Sequence, residues 1–358
     1  MPNKKTTSTY AEAIHSGLDY SLENDSNVVV IGEGVPDPKG IFGTTSGLQK
    51  KYGVDRVYDM PLSENAMTGI CIGAALNGLR PILIHQRIDF SLLSLDQIIN
   101  NAAKWHYMFD GKMSVPLVIR MIIGRGWGQG PQHSQSLQSI FAHIPGLKVC
   151  MPTFANDAKN MLIHAIKDNN PVIFLEHRWL HPIEGEIDND IKAEAFLGAK
   201  IIKPGADITI VAFSYMVVEA LYAAKIMEKI GLSVEVVDMR YVSPIDHETV
   251  QLSVKKTGRL VVTDTGSAFC GVSAEVIASV CEGVFHALKK PPIRIAGPDH
   301  PIPTSHHVAH KCYPGAEEIV KAVLSKFEID ADFEKIKRQY FTMSSPKDVP
   351  YHDFLGPF

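Results

Sequence analysis

The first half of this chain alternates short, wholly apolar runs with longer segments that are apolar on one side only. Apolar runs of about four to eight residues are typical of buried strands, whereas apolar positions three and four residues apart indicate helices. Ser91 to Tyr107 has the helical pattern, with Leu95, Ile98 and Ala102 on one face. The pattern predicts strands at 27–31, 56–60, 80–85, 116–123, 148–151 and 171–176, and helices at 10–22, 64–77, 91–107 and 154–167.

The second half repeats this alternation after a stretch of mixed charge and little periodicity. Strands that alternate with amphipathic helices imply a parallel sheet covered on both faces. We therefore predict a two-domain α/β protein with domains at 1–185 and 205–330, a linker at 186–204 and a C-terminal tail at 331–358. The predicted strands of the second half are 207–212, 233–238, 260–263 and 293–296, and its helices are 217–230, 247–255, 273–288 and 315–327.

Composition narrows the class of protein. The 358 residues are 45% hydrophobic and 21% charged, with a formal charge of −4, which gives no electrostatic footprint for nucleic acid. No run approaches the roughly 18 apolar residues of a membrane span, and the polar N-terminus argues against a secretory signal. Five scattered cysteines without a Cys-x-x-Cys pair favour a reducing compartment, so we expect a cytoplasmic protein.

A lone carboxylate stands at the start of a predicted helix. The segment Asp59–Asn65 reads Asp-Met-Pro-Leu-Ser-Glu-Asn, so Ser63 is a plausible N-cap and Glu64 lies in the first turn. Small residues such as Gly69 and Gly73 follow, and they would permit close approach of a bound ring or a second subunit. Glutamate in a first turn also has a purely structural explanation, because it faces the positive end of the helix dipole.

A histidine follows a loop rich in glycine. Gly124–Pro131 contains four glycines, which let a backbone approach a ligand closely, and His133 comes two residues after Pro131. With an ordinary pKa near 6.5, a histidine is suited to acid–base chemistry. A structural hydrogen bond of a loop histidine is the alternative.

These two segments, together with Phe141–Val149 and the Gly69–Pro81 stretch, resemble the β subunit of the thiamine-diphosphate-dependent decarboxylase component of 2-oxo acid dehydrogenase complexes, of the pyruvate and branched-chain type. The resemblance covers roughly residues 9 to 326. It implies a transketolase-like pyrimidine-binding domain at 1–185 and a smaller transketolase C-terminal-like domain at 205–330.

The resemblance also assigns roles to single residues. Glu64 would hydrogen-bond the aminopyrimidine ring and activate thiamine diphosphate, and Phe90 would stack on that ring. His133 would lie near the substrate and do acid–base or orienting work. Glu33 matches a glutamate near the cofactor and would belong to a proton relay, although a capping or interface role is as consistent with its position.

A monovalent cation, usually potassium, is held in this family by backbone carbonyls. The matching positions here are Leu117, Ala165, Asp168 and Asn170. Oxygen ligands suit such an ion. An ordinary turn at a helix end explains Asp168 to Pro171 equally well.

The chain lacks Gly-Asp-Gly, the usual start of the magnesium site for the diphosphate of the cofactor. The resemblance therefore implies a separate α subunit that carries this module and ligates Mg²⁺, in an α2β2 assembly. Decarboxylation of a 2-oxo acid with acyl transfer to lipoamide, on a lipoyl acyltransferase core, is the implied reaction.

The chain departs from the family pattern beside the expected pocket. After Arg-Pro-Ile the family usually has a glutamate and apolar or aromatic residues, whereas this chain has a segment that includes Arg87, and Arg125 lies in the glycine-rich loop. A guanidinium there could hold a carboxylate or phosphate of an unusual substrate; a surface or interface salt bridge is the alternative. These departures leave open a two-subunit carboligase or transketolase-like enzyme of a specialised biosynthetic pathway, and also a non-catalytic stabilising subunit.

Overall fold

The computed structural model describes residues 6–124, 126, 128–188, 197–341 and 347. Contacts divide the chain into two units. The first contains the described residues up to Ile123 and those from Ile140 to Leu197, and the second contains Gly124–Ser139 and the residues from Gly198 onward. The predicted domain boundaries stay a prediction, and the glycine-rich segment groups with the second unit although it lies in the first half of the sequence.

The elements of the first unit alternate as the apolar pattern indicates. The strands are β1 Thr6–Thr9, β2 Val28–Gly32, β3 Val57–Tyr58, β4 Arg80–His85, β5 Val118–Ile123, β6 Lys148–Cys150, β7 Val172–His177 and β8 Glu184–Ile187. The helices are α1 Tyr10–Asn24, α2 Leu48–Tyr52, α3 Glu64–Leu76, α4 Ala103–Met108, α5 Gln138–Ala142 (which begins in the second unit) and α6 Ala155–Lys167.

The strands of the first unit pair in the order β6-β7-β5-β4-β2-β3, and all of these pairs are parallel. Strands β2, β4, β5 and β7 are buried almost throughout. Helices α1 and α6 pack on each other, and β1 and β8 form a separate antiparallel pair. Parallel strands all end at the same edge of the sheet, so the segments that follow them converge there.

The second unit repeats the design on a smaller scale. Its strands pair in the order β14-β13-β10-β11-β9, with β9 antiparallel to β11 and the other pairs parallel. Its strands are β9 Lys200–Lys203, β10 Ile208–Ala212, β11 Val234–Asp238, β12 Tyr241–Ser243, β13 Leu260–Ser267 and β14 Ile293–Gly297. Its helices are α7 Tyr215–Glu228, α8 His247–Thr257, α9 Val272–Val284, α10 His306–Ala309, α11 Ala316–Lys326 and α12 Phe333–Tyr340. The predicted two-domain α/β fold is confirmed.

The predicted helix at 91–107 is wrong as a single α-helix. A 3₁₀ segment spans Phe90–Ser94, a π-helical segment spans Gln97–Ala102, and only α4 is regular. Ser91 and Ser94 donate hydrogen bonds to the carbonyls of Ile88 and Ser91, at 2.6 and 3.0 Å. Such side-chain bonds compete with the regular helical ladder. The apolar periodicity does not reveal this break.

A helix also occupies the start of the predicted tail. This helix, α12, spans Phe333–Tyr340, and Asp332 caps it by accepting a hydrogen bond from the N–H of Lys335 at 3.0 Å.

No helix among the described residues has both the length and the apolar character needed to cross a bilayer.

A buried ion pair joins two neighbouring strands of the first unit. Arg120 on β5 and Glu176 on β7 are both 0% exposed, and Nη2 of Arg120 donates to Oε2 of Glu176 at 3.0 Å and to Oγ1 of Thr44 at 2.7 Å. Burial alone would raise the pKa of Glu176, but Arg120 and the nearby His181 hold it below its usual range. Removing one partner would leave the other charge buried and uncompensated.

We expect Glu176→Gln to lower the free energy of unfolding by about 3 kcal/mol or more, because the buried guanidinium loses its counter-charge. Urea unfolding measures the loss. Lys51→Ala is the control: it removes the partly exposed pair with Asp19, whose side chains are 48% and 29% exposed, and should cost less than about 1 kcal/mol. Equal losses for the two variants would contradict the importance of the buried pair.

Candidate active site

Glu64 is the first residue of α3 and is only 8% exposed. The predicted N-cap, Ser63, does precede the helix, but its side chain makes no capping hydrogen bond. The backbone carbonyl of Glu64 accepts a hydrogen bond from Oγ1 of Thr68 at 2.7 Å, which ties down the first turn. Within the described part of the chain, no donor meets the Glu64 carboxylate. A buried carboxylate in this situation is available to a ligand.

Two further carboxylates lie close to Glu64. Glu33 follows β2 directly and Asp59 follows β3 directly, so both leave the sheet at its carboxyl edge. Partial burial, followed by the negative charges of Glu64 and Asp59, raises the pKa of Glu33 above its ordinary value. Glu33 therefore keeps its proton to higher pH than an isolated glutamate does.

Hydrogen bonds fix the backbone around this acidic group. Oδ1 of Asp59 accepts from the N–H groups of Gly34 and Met60, both at 2.9 Å. The side-chain amide of Gln86 donates to the carbonyl of Glu33 at 2.8 Å. These bonds tie together the segments that follow β2, β3 and β4, so Glu33 and Asp59 are held in place by strand ends rather than by a mobile loop.

Phe90 opens the 3₁₀ segment that packs against α3, and its ring is partly exposed. Its N–H donates to the carbonyl of Arg87 at 3.2 Å. The structure thus brings Phe90 to the helix that Glu64 begins. The distortion of the expected helix at 91–107 falls in this region.

Arg87 lies two residues beyond β4 and is 5% exposed, so it is not a surface residue. It acts electrostatically on Arg178, which directly follows β7 and is 4% exposed. Sequence reasoning missed Arg178 because the stretch of mixed charge after the predicted strand at 171–176 has little periodicity. The apolar Trp179 and Leu180 beside it were the available signal. Arg125 lies outside the described residues.

His133 is partly exposed, and the segment that carries it is tied to the second unit. Near its start, the N–H of Gly126 donates to the hydroxyl of Tyr313 at 3.1 Å. Gly130 has a φ of +69°, and a Cβ there would come within 2.7 Å of Oγ1 of Thr304. Only glycine permits this close approach without displacement of the neighbour.

The other end of the segment is anchored by a buried amide and a buried carboxyl. Nε2 of Gln138 donates to Oδ1 of Asp264 at 2.7 Å, and both residues are 0% exposed. Burial raises the pKa of Asp264 to about 6. Hydrogen bonds from Gln138 and from the backbone oppose this rise, and no other charged group in the described residues acts on it. Sequence spacing gave no signal for a contact across 126 residues.

The four predicted potassium ligands lie around the end of α6 and the starts of β5 and β7. The carbonyls of three of them already accept hydrogen bonds: Leu117 from Val172 at 2.9 Å, Ala165 from Asp168 at 3.2 Å, and Asp168 from Nη1 of Arg80 at 3.1 Å. Each carbonyl keeps a second lone pair. Among the described residues, no group of three His, Cys, Asp or Glu side chains is arranged to hold a metal ion.

Comparison with known protein families matches both halves of the chain. Residues 6–183 match the family described as transketolase, pyrimidine binding domain, and residues 198–319 match transketolase, C-terminal domain. Among solved structures, a split gene transketolase described as an inactive beta4 tetramer superposes with a TM-score of 0.72 at 21% identity, covering 90% of this chain and 99% of that one. This likeness supports the fold.

Closer sequence relatives are β subunits. The chain is 42% identical over 320 residues to the acetoin:2,6-dichlorophenolindophenol oxidoreductase subunit beta of Cupriavidus necator, covering 87% of this chain and 94% of that protein. It is 42% identical to the mitochondrial pyruvate dehydrogenase E1 component subunit beta-1 of Oryza sativa, covering 88% and 85%. The corresponding mitochondrial β subunit of Bos taurus is 39% identical, covering 90% and 91%.

Asp264 predicts a pH dependence of stability. Its pKa is about 6 in the folded chain, against an ordinary value of 3.8, so the folded chain binds this proton more tightly. The stability it contributes is full below 3.8 and is lost as the pH rises through about 6, by about 3 kcal/mol in total. Asp264→Asn cannot ionise and should remove this component.

Urea unfolding of wild type and Asp264→Asn at about pH 4 and about pH 7.5 measures the difference. The wild type should lose more stability than the variant between the two conditions. The same pH dependence in both proteins would show that Asp264 titrates as an ordinary carboxyl.

Proposed function

The chain belongs to the transketolase-like family that contains the β subunits of pyruvate dehydrogenase E1 components and of acetoin:2,6-dichlorophenolindophenol oxidoreductase, and we propose that it is the β subunit of a heteromeric thiamine-diphosphate-dependent 2-oxo acid dehydrogenase. The buried, unpartnered carboxylate of Glu64 is the single observation in the structure that carries this proposal. The β-subunit relatives favour this function over a two-subunit carboligase.

The residues around Glu64 fit the aminopyrimidine end of the cofactor. When bound, thiamine diphosphate supplies the carbon nucleophile and the electron sink for decarboxylation. The Glu64 carboxyl would hydrogen-bond a ring nitrogen, because nothing in the described chain occupies it. Glu33, whose pKa is raised, would hold a proton close to Glu64 and the ring nitrogen. It would then take part in the relay of that proton. The partly exposed ring of Phe90 would stack on the aminopyrimidine.

His133 would orient the substrate or exchange a proton with it. Its partly exposed position on the anchored segment supports this role, because an acid–base group must be accessible to the substrate whose proton it exchanges. Arg87 and Arg125 would contact an anionic group of the substrate.

The rest of the cofactor needs a second chain. An α subunit with a Gly-Asp-Gly motif would ligate Mg²⁺ and the diphosphate, in an α2β2 assembly, because no such motif occurs in this sequence. Acyl transfer to lipoamide would place the assembly on a lipoyl acyltransferase core. The β-subunit relatives support the partnership.

Two further assignments complete the proposal. K⁺ would bind to the backbone carbonyls of Leu117, Ala165, Asp168 and Asn170, with a structural role. The compartment we propose is the cytoplasm, which suits five cysteines that are all free thiols.

The experiment is co-expression of this chain with an α subunit that contains Gly-Asp-Gly. The purified complex is supplied with Mg²⁺, thiamine diphosphate and a series of 2-oxo acids, and reduction of 2,6-dichlorophenolindophenol is measured. We expect turnover that requires both chains. Glu64→Gln should lower kcat by about 100-fold or more, because it removes a carboxyl that holds the transferred proton.

Glu12→Gln is the matched control, because Glu12 is also a first-turn glutamate, and its carboxylate accepts hydrogen bonds from Ser8 and Thr9 at the start of α1. It should turn over at the wild-type rate. A Glu64→Gln complex with full activity would leave this chain as a stabilising subunit only, and turnover by the chain without a partner would contradict the need for an α subunit.

A further inference from the structure

The second unit contains a buried carboxylate with an unused oxygen. Asp264 on β13 is 0% exposed, and its Oδ1 accepts a hydrogen bond from Nε2 of Gln138 at 2.7 Å. The N–H groups of Thr265 and Gly266 also favour the charged carboxyl. Oδ2 is nevertheless buried without a hydrogen-bond partner in the described part of the chain. A buried acceptor that lacks a partner is destabilising, so this oxygen is available to a ligand.

The amide that binds Asp264 has an unused oxygen as well. Gln138 is 0% exposed, and its Oε1 meets no donor among the residues that the structure describes. Because a hydrogen bond already joins the two side chains, their free oxygens belong to one small group. Both atoms are acceptors, and a ligand that satisfies them must carry positive charge or hydrogen-bond donors.

The glycine at position 266 leaves these oxygens uncovered. A Cβ there would lie 3.3 Å from Oδ2 of Asp264 and 3.3 Å from the carbonyl oxygen of Ser136, and 2.9 Å from Nε2 of Gln138. The carboxylate oxygen and the backbone carbonyl therefore both lie on the side of Gly266 where other residues carry a side chain. Any larger residue would press on this group.

The position in the sheet is one where ligands bind. β13 pairs with β10 only as far as Thr263, which lies opposite Ala212, and its pairing with β14 is irregular between Thr263 and Ser267. Asp264 and Gly266 fall in this irregular stretch, just beyond the end of β10. In open parallel sheets, ligands bind outside the carboxyl ends of the strands.

The chemistry of the group favours a monovalent cation. A carboxylate oxygen, an amide oxygen and a backbone carbonyl oxygen are ligands that hard cations prefer. Burial and hydrogen bonds act on the carboxyl of Asp264, and no charged side chain in the described residues does so. One positive charge would balance this single carboxylate, whereas a divalent ion would leave an excess charge in a buried site.

We propose that Oδ2 of Asp264, Oε1 of Gln138 and the carbonyl oxygen of Ser136 bind Na⁺ or K⁺. Water would supply the remaining ligands, as it often does for hard cations. The site is separate from the K⁺ position proposed above, whose carbonyls belong to the first unit, and it does not depend on the proposed function. Because Gln138 anchors the segment that carries His133, a bound cation would stabilise that segment.

The solution test measures the Tm of the full-length chain at about pH 8, where the carboxyl can bind a cation in its ionised form. NaCl, KCl and tetramethylammonium chloride are compared at equal ionic strength. At about 100 times the dissociation constant, Na⁺ or K⁺ should raise the Tm by about 5 °C relative to tetramethylammonium. Asp264→Asn should lose most of this rise, because the charge that holds the cation is gone.

Gly266→Ala closes the site without removing a charge, and it should lose the rise as well. Gly185→Ala is the control, because a Cβ there would meet the Cβ of Ala155 at 3.6 Å, an ordinary contact. The control should keep the full rise. Equal rises in wild type, Asp264→Asn and Gly266→Ala would overturn the proposal, since the cation would then act elsewhere. A rise with Mg²⁺ but with neither monovalent cation would also overturn it.

A crystal structure of wild type in each salt locates the ion directly. K⁺ is identified by its anomalous scattering, and Na⁺ by distances to oxygen that are shorter than hydrogen bonds. An ion beside Oδ2 of Asp264 that is absent from crystals of Asp264→Asn would support the site. A water molecule only at this position, in both salts, would overturn it, whether or not Gly266→Ala folds.

Discussion

The parallel pairing of strands in the first unit is the constraint on which the candidate site depends. Because β2, β3, β4 and β7 run in one direction, the residues that follow them emerge at one edge. Glu33, Asp59, Arg87 and Arg178 come from distant parts of the sequence, and the sheet brings them to the same edge. A helix start then adds the carboxylate of Glu64 to the same edge. The order and direction of the strands therefore bring the candidate site residues to one edge of the sheet.

Several charged side chains at and near this edge of the sheet are buried or partly buried. Charged side chains are rarely buried unless they are paired or have a ligand. Arg120 and Glu176 show the paired solution inside the sheet, where each supplies the counter-charge of the other. Beyond the strand ends, carboxylates are grouped around Glu33, because Glu64 and Asp59 lie close enough to raise its pKa. Such grouping costs stability, and sites that bind ligands of opposite charge or with matching donors are where proteins retain it.

The sequence predicts the parts of this molecule that depend on local pattern. Apolar runs identify the sheet strands, and β4 is found at the predicted bounds. Glu64 is found at the predicted helix start, because Pro61 and Ser63 end the preceding extended segment. The break of the 91–107 helix could not be predicted, since it depends on serine hydroxyls turning back to the backbone. Arg178 and Asp264 could not be predicted either, because their partners are distant in sequence and burial is a tertiary property.

The anchoring of the histidine segment has a consequence for how such chains can be recombined. Gly126 and Gln138 are encoded in the first half of the gene, yet they are held by Tyr313 and Asp264 from the second half. A chimaera joined at 186–204 would combine the loop of one parent with the anchors of another. Such a junction would not interrupt the histidine segment in the sequence. It would nevertheless separate this segment, with the candidate acid–base residue His133, from the residues that anchor it. Exchangeable modules in this fold are therefore not contiguous stretches of sequence.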